Sequence, residues 1–158
     1  MWERLCESYR LTGEPNLAVD PCERNVELDP STLPYIELGL VDLTLKDYEH
    51  AANAFEKATA DYQLPQRLYP PAIIYENLLW SLFGSKQYGK AVSSAKRLIK
   101  IGTNDPAIVT TGYEMLGAAY DKIGQESQAR AAFDRANVKW CQVVPNDETG
   151  NLGLDCHD

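Results

Sequence analysis

The chain has 158 residues, a formal net charge of −8 and a pI near 4.8, a length that suits one compact domain with an ample core. The acidic balance argues against a nucleic-acid surface, because phosphate binding needs a basic face. No apolar run is long enough to insert into a bilayer, Met1-Trp2-Glu3-Arg4 has no signal-peptide character, and no Asn-x-Ser/Thr sequon occurs.

Helical spacing begins at once: Trp2, Leu5, Cys6 and Tyr9 share one face, and Ala18, Cys22 and Asn25 another. Met1 precedes Trp2 directly, with no N-cap, as expected of a chain cut from a longer protein or of a ragged first unit. Pro21 falls inside the second helix and is predicted to kink or break it, or to restart it with Asp20 as cap. Leu33 to Thr44 is again helical, with Tyr35, Leu38 and Val41 aligned and Gly39 beside them. Lys46-Asp47 ends that pattern, and Asp47 is the expected N-cap of a helix from Tyr48 to about Thr59 with Ala51, Ala54, Phe55 and Ala58 inward. Two helices joined this closely form an antiparallel hairpin. Gly39 and Ala51 are small because the backbones approach, and Phe55 fills the remaining space.

Tyr75, Leu78 and Leu82 then repeat the first-helix pattern, with Leu79 where glycine stood; Ala91, Ala95 and Leu98 repeat the second, with Ala95 in place of phenylalanine. Asp105 and Pro106 cap and open a helix that ends near Ile123-Gly124, and Glu126 to Trp140 forms its partner. Residues 142–158, rich in Asn, Asp, Gly and Pro, read as loop rather than as a polar capping helix. Val143, Val144, Leu152 and Leu154 suit a tail folded back on the last helix.

These elements repeat. Tyr35-x-x-Leu38-Gly39, followed by Ala51, Phe55 and Ala58, returns with the same spacing as Tyr113-x-x-Leu116-Gly117-x-x-Tyr120, followed by Ala129, Phe133 and Ala136. The corresponding alanines, Ala18, Ala51, Ala91 and Ala129, are 33, 40 and 38 residues apart. The chain resembles the tetratricopeptide repeat family, whose 34-residue helix–turn–helix unit carries the pattern Trp-x2-Leu-Gly-x2-Tyr, then Ala-x3-Phe, then Pro. Trp2, Leu5, Tyr9, Ala18 and Pro30 match it in the first unit. Cys6, Pro21 and Cys22 depart from it, as does Asp42, where a tyrosine is usual. The resemblance implies an all-α, right-handed α-solenoid of about four stacked units and eight helices over residues 1–140. The unit boundaries are about 1–31, 32–65, 70–104 and 105–140, and an irregular tail follows over 141–158.

The resemblance further implies that first helices line a concave groove. The groove candidates are Glu7 in the first unit and Ile36, Leu40 and Leu43 in the second. The third unit offers Ile73, Glu76, Asn77, Trp80 and Phe83, and the fourth Glu114 and Asp121. Members that clamp a peptide's terminal carboxylate use lysine, arginine and asparagine in this groove. The corresponding places here hold Glu3, Glu7, Glu37, Ile73 and Asn77, so that mode is not expected. An apolar strip with acidic ends instead suits a helix or extended segment with apolar anchors and basic ends. Trp80 and Phe83 would be its anchors, although leucines and aromatics on repeat helices more often serve packing.

In the family's geometry Cys6 and Cys22 would face each other across the first hairpin. A Cys141–Cys156 bridge would tie the tail to the last helix, closing a roughly 15-residue loop for about 3 kcal/mol. Paired cysteines point to a periplasmic or extracellular setting, and four reduced cysteines serving as small apolar residues to a cytoplasmic one. Cys141, Cys156, His157 and Asp158 match no zinc spacing. His50, with Asp47 and Glu49 nearby, reads as a solvated surface residue. No phosphate loop, nucleophile elbow or metal-ligand motif occurs, so neither cofactor nor metal is expected and no enzyme chemistry is carried. The sequence therefore points to a protein-binding scaffold or adaptor within a multiprotein complex. An envelope assembly module and a homo-oligomerisation module are the alternatives.

Overall fold

The computed structural model describes residues 1–60, 62 and 70–141. The described residues form eight helices and no strand: α1 (Trp2–Leu11), α2 (Pro15–Leu28), α3 (Thr32–Thr44), α4 (Tyr48–Ala60), α5 (Pro71–Gly84), α6 (Tyr88–Ile101), α7 (Pro106–Lys122) and α8 (Glu126–Trp140). The chain divides into two compact units, Met1–Lys86 and Gln87–Asp158, with the boundary in the turn between α5 and α6. In the first, each helix packs on the next from α1 to α5, and α3 also touches α1 and α5. In the second, α6 packs on α7 and α7 on α8. Such sequential pairing is what helix hairpins produce when each leaves one apolar face for its neighbour.

Local chemistry accounts for the helix ends. The Asp105 side chain accepts from the backbone N–H groups of Ala107 and Ile108, and Pro106 occupies the first helical position of α7. Before α4, Asp47 Oδ1 accepts from the His50 backbone N–H at 3.3 Å. Each hairpin turn then contains one residue with left-handed backbone: Gly13, Lys46, Lys86 and Gly124, at φ 78°, 62°, 59° and 75°. Around three of them a backbone N–H reaches back to a carbonyl five residues earlier. These are Glu14 to Tyr9, Asp47 to Asp42 and Gln125 to Tyr120, at 2.8–2.9 Å. This is the glycine-favouring helix stop, and two of its four positions are filled by lysine.

At Pro21 the expected break, or restart with Asp20 as cap, is corrected. Helix α2 runs unbroken through it, with Pro15 at the N-terminus and Pro21 buried. Proline donates no N–H to the Leu17 carbonyl, but the next residue, Cys22, is bonded to Cys6 of α1. That covalent tie holds α2 against its partner where its hydrogen bonding is weakest.

The hairpin cores use one position in two ways. A Cβ on Gly39 would stand 2.9 Å from the Phe55 ring, and one on Gly117 would stand 2.7 Å from the Phe133 ring. The positions equivalent to Gly39 and Phe55 in the first hairpin are Cys6 and Cys22. Here a disulfide with a Cα–Cα distance of 4.8 Å replaces the ring-on-glycine contact. Cys6, Ala18, Cys22 and Val41 form a buried cluster, with Tyr9, Val19, Leu38 and Leu45 packed around it. The bridge thus lies in the seam between the first hairpin and α3.

Candidate functional site

The predicted binding residues divide by exposure. On α5, Ile73 and Trp80 lie seven residues apart on one helical face and are 52% and 59% exposed. Asn77 stands between them, half-buried, and Glu76 and Phe83 flank them, also half-buried. Burial raises the Glu76 carboxyl above the usual carboxylate range. The opposite side of α5 is core, with Ile74, Leu78, Leu79 and Leu82 at 2% exposure or less. Trp80 therefore belongs to no packed layer of its own unit, and an indole this open is unusual on an apolar helix.

On α3 the assignment needs correction. Ile36 is 3% exposed and cannot meet a ligand, while Leu40 and Leu43 are half-buried. Helix α3 is flanked by α1 and α5 as well as by α2 and α4, which leaves its first-helix face little free width. Glu37 is also buried and is held by Arg10 of α1, whose Nε and Nη2 donate to its two carboxylate oxygens at 2.5 and 3.4 Å. Sequence spacing alone gives no sign of this pair, because its members stand 27 residues apart. Glu7 is exposed. With Glu3, Asp29 and Glu37 it lines a cavity of about 310 Å³ beside Leu33 and Pro34. In the second unit Glu114 and Asp121 are exposed on α7.

The first unit holds a second concavity that no sequence motif announces. It measures about 600 Å³ and lies among α2, α3 and α4, where Val19, Glu23, Tyr35, Leu38, Asp42 and His50 meet. Asp42 is 7% exposed, and burial, aided by Asp47, raises its carboxyl to about 6. His50 is exposed as expected; its Nδ1 lies 2.8 Å from Asp47 Oδ2, which raises the imidazole and lowers the Asp47 carboxyl. The sequence signal for this site is the departure at Asp42 from the tyrosine usual in such repeats.

Cys6 and Cys22 are bonded, and Cys141 is disulfide-bonded as well. The expected partner of Cys141, Cys156, and the expected fold-back of residues 142–158 lie outside the described residues. No described helix is long and apolar enough to cross a membrane.

The repeat pattern is shared with known proteins. Residues 34–60, covering most of α3 and all of α4, match the tetratricopeptide repeat model. Over 141 residues the chain is 27% identical to lipopolysaccharide assembly protein B of Escherichia coli K12, and equally to that of strains O6:H1 and O157:H7. The match takes in 85% of this chain and 34% of each relative, so the chain spans about a third of their length. Two solved structures of MamA superpose with TM-scores of 0.69 and 0.68 at 24% and 23% identity. They cover 89% and 96% of this chain, and 77% and 75% of theirs. At that identity the likeness is one of fold.

Proposed function

We infer that this chain, which is a tetratricopeptide-repeat protein, acts as a protein-binding scaffold and receives a helix or extended segment of a partner on the Ile73–Trp80 face of α5. The observation that carries this reading is the exposed Trp80–Ile73 pair on a helix whose other side is fully buried. Aromatic anchors dominate interface energetics, and exposed apolar patches on otherwise polar surfaces mark contact sites. The acidic cavity at Glu3, Glu7 and Asp29 favours a partner with a basic end. Within the second unit, Glu114 and Asp121 are exposed on α7. Repeat proteins of this type are generally scaffolds rather than enzymes, and no residue pattern in the chain supports a reaction.

The test compares the wild type with Trp80→Ala. With 59% of its surface exposed, Trp80 should cost the fold less than about 1 kcal/mol when truncated, while partner capture by the folded protein should fall at least tenfold, about 1.4 kcal/mol or more. A collapse of the melting temperature with binding per folded molecule unchanged would make Trp80 a core residue and overturn the reading.

A second reading is favoured by a separate observation. Relatives sharing 27% identity are named for lipopolysaccharide assembly, and a buried disulfide suits an oxidising compartment. The scaffold would then serve an assembly machine of a bacterial envelope, in secretion, pilus or polysaccharide export. Localisation of a tagged full-length protein by fractionation tests it, and a strictly cytoplasmic pool with reduced cysteines would count against it. Self-association is the remaining reading, and light scattering over a concentration series that shows only monomer would remove it.

A further inference from the structure

The molecule contains its own control for the cavity at Asp42. Repeat correspondence equates Tyr35 and Lys57 of the first unit with Tyr113 and Arg135 of the second, and Glu23 and Asp42 with Lys96 and Tyr120. Both sets line a cavity, of about 600 Å³ in the first unit and about 220 Å³ in the second. One pair is kept in kind: Lys57 Nζ stands 5.2 Å from the Tyr35 ring centre, and the Arg135 guanidinium 5.8 Å from that of Tyr113. The other pair is inverted. In the second unit Lys96 covers the Tyr120 ring at 5.6 Å, so the chain supplies a cation to that position itself. In the first unit the lysine is replaced by Glu23 and the ring by Asp42, which removes the internal cation, opens the space and lines it with carboxylates.

We propose that the cavity at Asp42 receives one cationic side chain, a lysine or arginine, of a partner protein, entering where Lys96 stands in the second unit. Asp42 is 7% exposed and lines the cavity, and among the described residues its carboxylate feels only through-space charges, with no hydrogen bond to it. A buried carboxylate without a partner is costly, and one that faces an open cavity is explained by a ligand that pairs with it. Val19, Val26 and Leu38 provide apolar wall for the aliphatic stem of such a side chain. The charged groups that face Asp42 are Glu23 from α2, Asp47 from the turn, and His50 and Lys57 from α4. Neither cation bonds to Asp42: His50 is paired with Asp47 and only lowers the Asp42 carboxyl through space, and Lys57 is held over Tyr35. Among the described residues no group of three His, Cys, Asp or Glu side chains is placed to hold a metal ion, so the fitting cation is organic. The cavity is separate from the first-helix face that the groove candidates occupy. At 100° per residue, Tyr35, Leu38 and Asp42 lie roughly 160° around α3 from Leu33, Leu40 and Leu43.

Because burial raises the Asp42 carboxyl to about 6, a cation must compete with a proton, and binding should weaken as pH falls through that value. The test is an amide NMR titration of the full chain at low ionic strength with N-acetyl-lysine methylamide and N-acetyl-arginine methylamide. N-acetyl-norleucine methylamide is the uncharged control. Saturable shifts at Val19, Leu38 and Asn53 are expected with one or both cationic probes and not with norleucine; which probe saturates identifies the side chain. Affinity should drop at least tenfold between pH 7.5 and pH 5, and at least tenfold in Asp42→Asn. Should that variant fail to fold, the pH comparison on the wild type and the variant Glu23→Gln decide the question in its place. Absence of saturable shifts from both cationic probes at pH 7.5, equal shifts with norleucine, or affinity indifferent to pH and to both substitutions would overturn the proposal.

Discussion

Asp42 folds with its carboxyl shielded from water, and the cost is readable in its acid–base behaviour. Its folded value of about 6 lies above the roughly 3.9 of an unfolded chain. Between about pH 4 and 6 the folded state therefore holds a proton that the unfolded state releases, and stability falls as pH rises through that window. Asp42→Asn should remove this slope and raise stability at pH 7.5 by about 1–2 kcal/mol, allowing for water that reaches the cavity. Urea midpoints at pH 4.5 and 7.5 check it; an unchanged difference between the two pH values would show that Asp42 is solvated. His50 is raised chiefly by its hydrogen bond to Asp47, with a smaller contribution from Asp42. Its raised value places a loss of stability above about pH 6.5, which His50→Gln would remove and Asp42→Asn would leave largely in place. The two glycines supply a second residue-scale comparison. Phe55 is fully buried whereas Phe133 is 40% exposed, so the ring facing Gly39 cannot withdraw and the ring facing Gly117 can. Gly39→Ala should cost about 1–3 kcal/mol by overpacking, whereas in Gly117→Ala the gain in helix propensity leaves the change within about 1 kcal/mol of zero. Equal effects in thermal melts would contradict this account. The sequence marks both glycines and both rings, because spacing alone pairs them. It marks Asp42 only as a departure, since what surrounds a side chain from the preceding hairpin has no local signature. Ile36 passes for a groove residue in the sequence for the same reason: its burial depends on neighbours far along the chain.

At the scale of helices, ends are more legible than turns. Asp105-Pro106 and Asp47 announce their helices because a capping carboxylate acts within three residues. The left-handed turn positions at Lys46 and Lys86 are not legible, because lysine carries no preference for that backbone. They emerge by comparison with Gly13 and Gly124, which stand in the same register five residues before the repeat alanines. A non-glycine residue there is strained by roughly 1–2 kcal/mol, partly recovered through its stiffer unfolded chain. Lys46→Gly should thus stabilise by about 0.5–1 kcal/mol, and Gly124→Lys should destabilise by a similar amount. No atom lies within 4 Å of a Cβ built on Gly124, so backbone strain alone is at issue there. Chemical denaturation of both variants decides: a loss of stability in Lys46→Gly would mean that the lysine side chain contributes more than its backbone costs. Pro21 shows the converse limit. Local rules end a helix at such a residue, yet α2 continues, with the adjacent Cys22 bonded to Cys6 of α1.

For the molecule as a whole the governing fact is that, within each compact unit, a helix meets mainly its sequence neighbours. Stability in such a chain is close to a sum over hairpins and their shared faces, so damage at one end should stay there. The Cys6–Cys22 bond is the place to test this. It closes a loop of sequence separation 16, for which the chain-entropy model gives about 3 kcal/mol. Cys6→Ala with Cys22→Ala should therefore weaken α1 and α2 by about that amount. Hydrogen exchange should quicken in those helices, while the α7–α8 hairpin keeps its protection. The repeat correspondence also supplies a rescue. Cys6→Gly with Cys22→Phe would install the contact that Gly39 and Phe55 make in the next hairpin. It should be more stable than the alanine pair under reducing conditions and insensitive to reductant. If the alanine pair instead loosens α7 and α8 as much as α1 and α2, the chain unfolds as one cooperative body. If the glycine–phenylalanine pair is no better than alanine, the first hairpin is set by its bridge rather than by the packing rule that shapes the others.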